Sequence, residues 1–495
     1  MTTESGISRG ESAYEPVIGM ECHAELLTAS KMFCSCENRF GGEPNTRCCP
    51  VCLGLPGALP AVNRMAVEHV IRTAIALNCS IESEAHFDRK NYYYPDLPKG
   101  YQISQYGKPI GSGGWLDFEV EGKPKRVHIR RVHLEEDTGK LIHFAGDSQR
   151  SFVDFNRSGV PLMEIVTEFP PDLHSADEAR AYLTELRAVL TFLGVCDGKM
   201  EEGSLRCEPN VSVRLRNAET YGAKTEIKNL NSFRAVERGI AFEAGRQATL
   251  LETGGVVRQE TRGWDEGRAA TFSQRSKEVE QEYRYFPEPD LPPLRLDEPW
   301  LERIRATMPE LPSSLRNRCL TEYGLSAYDA RLISESRATA QWFEAAAAVG
   351  GDAKLVVNWM MGDLARLVNA AGASLDQCPV TPQRLGELVT LVSSGAITGK
   401  IAKAVLDEMY ATGEPPAAIV EARGWRTERD PAAIRGLVEQ ACNANPEIVA
   451  DITLRGLTQK RGFLIGQVMK ASGGKADPGE VNRLLDELLA RATGA

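Results

Sequence analysis

Four prolines stand within seven residues, at Pro287, Pro289, Pro292 and Pro293. Proline lacks an amide proton and fixes its own φ, so neither a helix interior nor a central strand runs through such a segment. The chain therefore changes architecture there. Before it, short apolar and polar alternations are separated by Gly, Pro and Asn; after it, Ala, Leu, Arg and Glu recur at helical spacing. Leu116, Phe118 and Val120 alternate ahead of Glu121-Gly122, and Val127 and Ile129 alternate beyond it, which predicts an antiparallel hairpin. Leu205, Cys207, Val211, Val213 and Leu215 make another apolar face, broken only by Pro209. Ser175 and Glu178 predict a capping box for a helix that carries Tyr182, Leu183, Leu186, Val189 and Leu190 and stops at Gly194. Asn63 precedes a second such helix. The expected fold class is α+β. It comprises an N-terminal domain on an antiparallel sheet at residues 14–295, a helical domain at 296–412 and a small helical tail at 413–495. The last break is marked by Gly413 and Pro415-Pro416.

A chain of 495 residues with 42% hydrophobic and 25% charged content can bury sizeable cores, which excludes a disordered protein. It contains no apolar run of about 18 residues, so no membrane-spanning helix is expected. Residues 1–13 are polar and small, without the apolar stretch of a signal peptide. They read as a disordered N-terminus, and the cytoplasm is the expected location. The net charge of −10, from 58 basic and 68 acidic residues, leaves any nucleic-acid contact to local patches. One such patch is 455–475, where Arg455, Lys460, Arg461, Lys470 and Lys475 occur without an acid. It suits a solvated helix face and an RNA backbone about equally.

The polar faces of the strands are the most informative feature. In the first strand, period two puts Glu21, His23 and Glu25 on one side and Met20, Cys22, Ala24 and Leu26 on the other. For a lone strand this is simply a wet face. The pattern recurs, however. Glu135, Glu136 and Asp137 end one strand, and Glu164 interrupts the apolar run Leu162 to Val166. Residues 199–210 gather Lys199, Glu201, Glu202, Arg206, Glu208 and Asn210, and Glu226, Lys228 and Asn229 follow. A sheet face so rich in carboxylates repels itself unless cations neutralise it. Carboxylates with one imidazole suit Mg²⁺, and interspersed Arg and Lys suit phosphate oxygens. Those are the parts for phosphoryl transfer, although no P-loop sequence is present. A carbohydrate or nucleic-acid hydrolase using paired carboxylates and metal fits the same residues.

Cys34 and Cys36 form a CxC, and Cys49 and Cys52 form a CxxC. Four thiolates on two knuckles predict a closed, structural zinc site, with Cys48 left as a spare and Cys22 as a core thiol.

Taken together these residues resemble the B subunits of aspartyl/glutamyl-tRNA amidotransferases. The matching stretches are 17–26 (VIGMECHAEL), 40–44 (FGGEP), 49–63 (CPVCLGLPGALPAVN), 87–105 (FDRKNYYYPDLPKGYQISQ) and 135–139 (EEDTG). They continue through 154–168, 199–210 (KMEEGSLRCEPN), 228–233 (KNLNSF) and 283–291 (YRYFPEPDL). The resemblance implies a cradle of glutamine-synthetase-like topology, then a helical domain and a tail that binds tRNA. It implies that ATP and Mg²⁺ activate the side-chain carboxylate of Glu on tRNA(Gln) or Asp on tRNA(Asn). Ammonia, released from glutamine by an amidase A subunit of a heterotrimer that also holds a small C subunit, then forms the amide. A non-catalytic tRNA-binding scaffold in the same complex is the other reading. Position by position, the resemblance makes Glu21, His23, Glu136 and Glu164 the Mg²⁺ set and Cys34, Cys36, Cys49 and Cys52 the zinc knuckle. It assigns Glu202, Arg206 and Lys228 to catalysis, and Ser204, Asn229, Asp88 and Lys90 to the nucleotide and aminoacyl end.

Overall fold

The computed structural model describes residues 13–142, 150–276 and 283–492. All but Ala13 of the N-terminus expected to be disordered lies outside them. The contacts divide the chain into a first unit ending at Ser313 and a second at Ser314–Ala495.

The first unit is built on a nine-stranded sheet. Its central strand is Tyr14–Glu25, flanked by Pro161–Thr167 on one side and Leu205–Leu215 on the other. Beyond Pro161–Thr167 come Lys123–Glu136, Gly111–Val120 and the short Ser80–Ile81; beyond Leu205–Leu215 come Thr225–Lys228, Glu260–Asp265 and Ala270–Ser276. Every pairing is antiparallel except that of Thr225–Lys228 with Glu260–Asp265. The predicted hairpin forms, with Val120 opposite Lys123. Glu121 and Gly122 both take positive φ, 50° and 76°, the twist that a two-residue hairpin loop demands.

Helices Arg64–Ala76, Ala176–Leu193 and Phe233–Glu252 close one face of this sheet. Their apolar stripes pack with Ile18, Met20, Cys22 and Ala24 into one core. Asn63 caps the first helix by accepting from the Met65 and Ala66 amides. Ser175 caps the second, but its box is only half made, because the Glu178 carboxylate accepts from the His174 amide instead. With one face sealed by helices, period two leaves the polar side chains of the central strands on the other.

The proline-rich segment is an internal strap rather than a domain boundary. Phe286–Pro287 pairs with Asp88–Asn91, and Leu294–Arg295 pairs with Glu84–Ala85. Helix Glu298–Ala306 then lies on Arg64–Ala76, with Leu301 and Ile304 in the common core and Trp300 Nε1 donating to Glu68 at 3.0 Å. These long-range pairings carry the first unit past the expected break at residue 295.

The second unit is helical. Arg337–Gly350 and Pro382–Ser393 cross closely because Gly386 faces Gly350; a Cβ on Gly386 would meet the Ala346 carbonyl at 2.6 Å. Gly399–Thr412 is capped by Thr398 and closed by a left-handed Gly413. Pro416–Arg423 packs back on these helices, so Gly413 is a turn within the bundle, and the expected tail boundary moves beyond Arg423. Four later helices, from Pro431–Ala444 to Pro478–Ala492, share a separate core of Ile434, Val438, Leu464, Val468, Leu484 and Leu485. Among the described residues no helix is long and apolar enough to cross a membrane.

Truncating Leu301 to Ala empties a fully packed position and is expected to cost about 3 kcal/mol. The loss should appear as faster hydrogen exchange at Val70 and Ile71 in the facing helix. Unchanged protection there would return the strap and its helix to the second unit.

Candidate functional site

The open face of the sheet gathers two groups of metal-binding atoms, each within 4.8 Å of one another. One is His23, Glu135 and Glu164; the other is Glu21, Glu208 and Glu226. Strand register produces them. His23 faces Glu164 across one ladder and Arg206 across the other, while Glu21 faces Glu208, and Asn210 faces Glu226.

In the first group His23 Nε2 lies 3.7 Å from Glu135 and 3.9 Å from Glu164. Both carboxylates also reach the buried imidazole of His133, at 3.6 Å and 2.9 Å. Ser104 Oγ donates to Glu135 at 3.0 Å. His133 and Ser104 thus orient the carboxylates from behind, as outer partners do around a bound ion. Burial opposes the charge on Glu164, yet the His133 and His23 imidazoles hold its pKa well below the usual carboxylate range. In the second group the balance is reversed. Burial, then the charges of Glu164, Glu226 and Glu208, push Glu21 upward. A crowd of oxygens with one imidazole and a residual excess of negative charge fits a hard divalent cation.

Cations are threaded through the face. Lys228 Nζ lies 2.7 Å from Glu208 and 3.2 Å from Glu226. Arg206 reaches Asp137 at 2.7 Å, and Arg157 reaches the same carboxylate at 3.6 Å. Glu25, beside that pair, is pushed up to about 8 by burial and by Asp137. Lys90 sits among tyrosines, 5.0 Å from the Tyr283 ring centre. Burial works against its charge, but the carboxylates of Glu135 and Glu164 keep its pKa above the ordinary lysine value. Glu21, His23, Glu164, Arg206 and Lys228 therefore share one face, and Lys90, on the strand Asp88–Asn91 of a separate small sheet, lies near its carboxylates.

Other expected residues lie elsewhere. Glu136 points to the opposite side, where it accepts from Lys99 at 2.6 Å and from the Ile103 amide at 3.0 Å; Glu135 takes its place on the open face. A break in the strand explains the exchange. The core side chains are Val127 and Ile129 and then Val132 and Leu134, and the register against Pro161–Thr167 slips between Val166 and Thr167. The slip reverses the parity of everything after Arg130. Asp88 is a loop anchor, its Oδ2 accepting from the Tyr106 and Gly107 amides at 2.8 and 3.1 Å. Glu202 is paired with Lys199 at 2.9 Å at the protein surface. Ser204 is held in its loop by Asp197 and by the Lys199 carbonyl. Asn229 is exposed, with a left-handed backbone at φ 65° that ends its strand. Glu135, His133, Glu208, Glu226 and Asp137 are not among the site residues that sequence assigns. The pairing Glu21 to Glu208 is implicit in the two strands, but only their register brings it out.

Cys34, Cys36, Cys49 and Cys52 converge as expected, with Cys52 Sγ 3.4, 3.8 and 3.8 Å from the sulfurs of Cys34, Cys36 and Cys49. Tetrahedral zinc with bonds of about 2.3 Å demands S···S separations of about 3.8 Å. The residues fit the metal. Cys48 instead turns to the Asn45 carbonyl. The buried ammonium of Lys31 lies 3.7 Å from Cys52 Sγ and donates to the Ser158 carbonyl at 2.7 Å. A positive charge there compensates an anionic tetrathiolate.

Purified protein should carry zinc in stoichiometric amount by elemental analysis. Cys52→Ser is expected to lose it, and Cys48→Ser to retain it. A metal-free wild type, or equal loss in both variants, would remove the knuckle assignment.

Comparison with known proteins places this geometry in a family. A family model described as "GatB/GatE catalytic domain" matches residues 16–302, and one described as "GatB domain" matches 341–489. The aspartyl/glutamyl-tRNA(Asn/Gln) amidotransferase B subunit of Moorella thermoacetica is 54% identical over 96% of this chain and 100% of its own length. The protein of the same name from Carboxydothermus hydrogenoformans is 48% identical over 97% and 99%, and that from Brevibacillus brevis 50% over 97% and 99%. The chain belongs to the family of aspartyl/glutamyl-tRNA(Asn/Gln) amidotransferase B subunits.

Proposed function

We propose that this chain activates the side-chain carboxylate of Glu-tRNA(Gln) or Asp-tRNA(Asn) with ATP and then admits ammonia to form the amide. The observation that carries the proposal is the convergence of two carboxylate groups and interleaved cations on one open sheet face. A carboxylate resists ammonia because its leaving group would be an oxide. Attack of one carboxylate oxygen on the γ-phosphorus forms a C–O–P link and breaks the bond to the β-phosphate, releasing ADP. Ammonia then adds at the acyl carbon, phosphate departs with the C–O electron pair, and the surplus protons pass to water or a nearby carboxylate. This is chemistry of charge management, so it suits a face already organised by charge.

His23, Glu135 and Glu164 would hold one divalent cation, and Glu21, Glu208 and Glu226 offer a second set of ligands. Bound there, such cations would supply positive charge against phosphate oxygens. His133 keeps Glu135 and Glu164 aimed, and Asp137 fixes the Arg206 guanidinium at the edge of the face. Lys228, held between Glu208 and Glu226, keeps a positive charge beside the second group. The chain carries neither the amidase Ser-Ser-Lys signature nor a glutaminase Cys-His arrangement. Ammonia is therefore supplied by a partner amidase subunit, in a heterotrimer completed by a small third chain.

In the tail, the basic stretch is less free than its sequence suggests. Arg455 and Lys460 both pair with Asp451, and Arg461 pairs with Asp486, which leaves Lys470 and Lys475 without ion pairs among the described residues. These two are the tail's contribution to the tRNA backbone. Replacing both by Ala should lower the salt dependence of tRNA binding by about two units of slope. An unchanged slope would remove the tail from the interface.

The central test is a transamidation assay on the assembled complex with each mischarged tRNA, with and without ATP. Glu164→Gln is expected to reduce ATP cleavage by about 100-fold or more while tRNA binding is kept. A scaffold subunit predicts near-normal turnover in that variant, and that outcome would defeat the catalytic reading.

A further inference from the structure

In the second unit a cavity of about 320 Å³ opens between the end of helix Pro382–Ser393, the turn that follows it, helix Pro416–Arg423 and the segment 424–430. Its lining divides into apolar residues, Leu391, Ala417 and Val420, and polar ones, Arg426, Thr427 and Arg429. The segment is fixed by its backbone. The Trp425 amide donates to the Val420 carbonyl and the Thr427 amide to the Ala396 carbonyl, both at 2.9 Å, and Glu428 bridges to Ala476. Main-chain bonds therefore hold the polar lining in place.

That lining is under-used. Thr427 Oγ1 is enclosed and has no hydrogen-bond partner among the described residues. Enclosed hydroxyls are as a rule satisfied by protein, water or ligand. Arg426 is exposed and makes no hydrogen bond or ion pair among the described residues. Arg429 spends Nη2 on the Ser394 carbonyl at 2.9 Å and Nε on Asp477 at 3.6 Å, which leaves Nη1. The nearby acids are occupied elsewhere. Within 424–430 and its partner stretch 474–477, Glu428 accepts from the Asp430 amide, Asp430 from the Ala432 amide, and Asp477 from the Gly479 and Glu480 amides. Each carboxylate thus serves a main-chain N–H at or beside a helix start. Two guanidiniums and a hydroxyl remain as donors beside an apolar surface.

We propose that this cavity is a nucleoside monophosphate site, with the nucleoside against Leu391, Ala417 and Val420 and the phosphate on Arg426, Arg429 and Thr427 Oγ1. Phosphate oxygens suit guanidinium forks and a hydroxyl donor, and these three are the groups left without full partners. Pockets that enclose small ligands start at about 300 Å³, so the volume suits one nucleotide unit. The nucleotide is either free in solution or turned out of an RNA chain, and the chemistry recognised is the same. Lys475 connects the cavity to the tail cations: its carbonyl accepts from the Glu428 amide at 2.7 Å. The site belongs to the second unit and does not depend on the ATP-driven chemistry proposed for the first.

The probe is AMP added to the full-length chain, read by hydrogen exchange in peptides spanning 391–397 and 417–429. Slowed exchange there should saturate with AMP and be absent with adenosine or inorganic phosphate at the same concentration. Because these peptides report locally, nucleotide bound to the first unit does not register in them. Arg426→Ala should weaken AMP about tenfold, and Ala417→Trp, which fills the cavity from an exposed position, should abolish the protection. Thr427→Val should weaken AMP about fivefold without lowering the melting temperature, because the hydroxyl bonds nothing in the free chain. A merely structural threonine would do the reverse. Binding of tRNA to the assembled complex separates the two sources. If the nucleotide belongs to RNA, tRNA competes with AMP, and both Arg426→Ala and Ala417→Trp weaken tRNA; if it is free, tRNA affinity is unchanged in both. The site is overturned by equal protection from adenosine or inorganic phosphate, or by a loss of tRNA binding confined to Arg426→Ala. It is overturned equally if AMP gives no saturable protection and both variants bind tRNA normally.

Discussion

Like charge crowded onto one side of a sheet is the constraint around which the first unit is arranged. Glu21, Glu135, Glu164, Glu208 and Glu226 stand within two small groups, at spacings that in water alone would be repulsive. The fold answers in layers. Helices seal the opposite face, so that Cys22 and Met20 are fully buried where Glu21 and His23 are not. Imidazoles sit between carboxylates, with His133 shared by Glu135 and Glu164. Farther out, guanidinium and ammonium groups take the peripheral acids. What remains unbalanced lies at Glu21, whose carboxyl is driven upward by burial and then by its acidic neighbours. A divalent cation bound there would relieve that imbalance.

Much of this was legible from the chain, and the reason is locality. The CxC and CxxC pairs each bring two sulfurs together within a few residues, so only the meeting of two knuckles was left to the fold. The parity of Glu21 and His23 is likewise a property of one strand. Glu135 was hidden because one irregularity at Arg130 exchanges inside for outside along the last turn of a long strand. Alternation read outward from Val127 and Ile129 would have favoured Glu136, as the family resemblance did. Asp88 was hidden for another reason. Its donors lie on a neighbouring loop, and an aspartate holding two amides looks in sequence like one holding a ligand. The pairing of Arg206 with Asp137 joins residues far apart in the chain, and composition offers no hint of it.

The domain boundary shows the same division between near and far. Prolines at 287–293 do stop helix and strand, as their chemistry requires. Whether the chain then leaves the domain depends on what the next residues meet. Here Leu294–Arg295 pairs with the short strand Glu84–Ala85, and Leu301 and Ile304 complete the core. At Gly413 the left-handed turn is where sequence places it, and again the following helix folds back instead of departing.

Lys31 links two regions that would otherwise look independent. Its ammonium, fully enclosed, touches the sulfur of Cys52 on one side and the Ser158 carbonyl on the other. The next residue, Gly159, donates its amide to the Asp137 carbonyl, and Asp137 is what steadies Arg206. With the thiols protonated, that enclosed charge has only neutral carbonyls for company, an expensive arrangement. A metal-bound tetrathiolate would give that enclosed charge its counterpart, and so couple the knuckle electrostatically to the turn behind the open face.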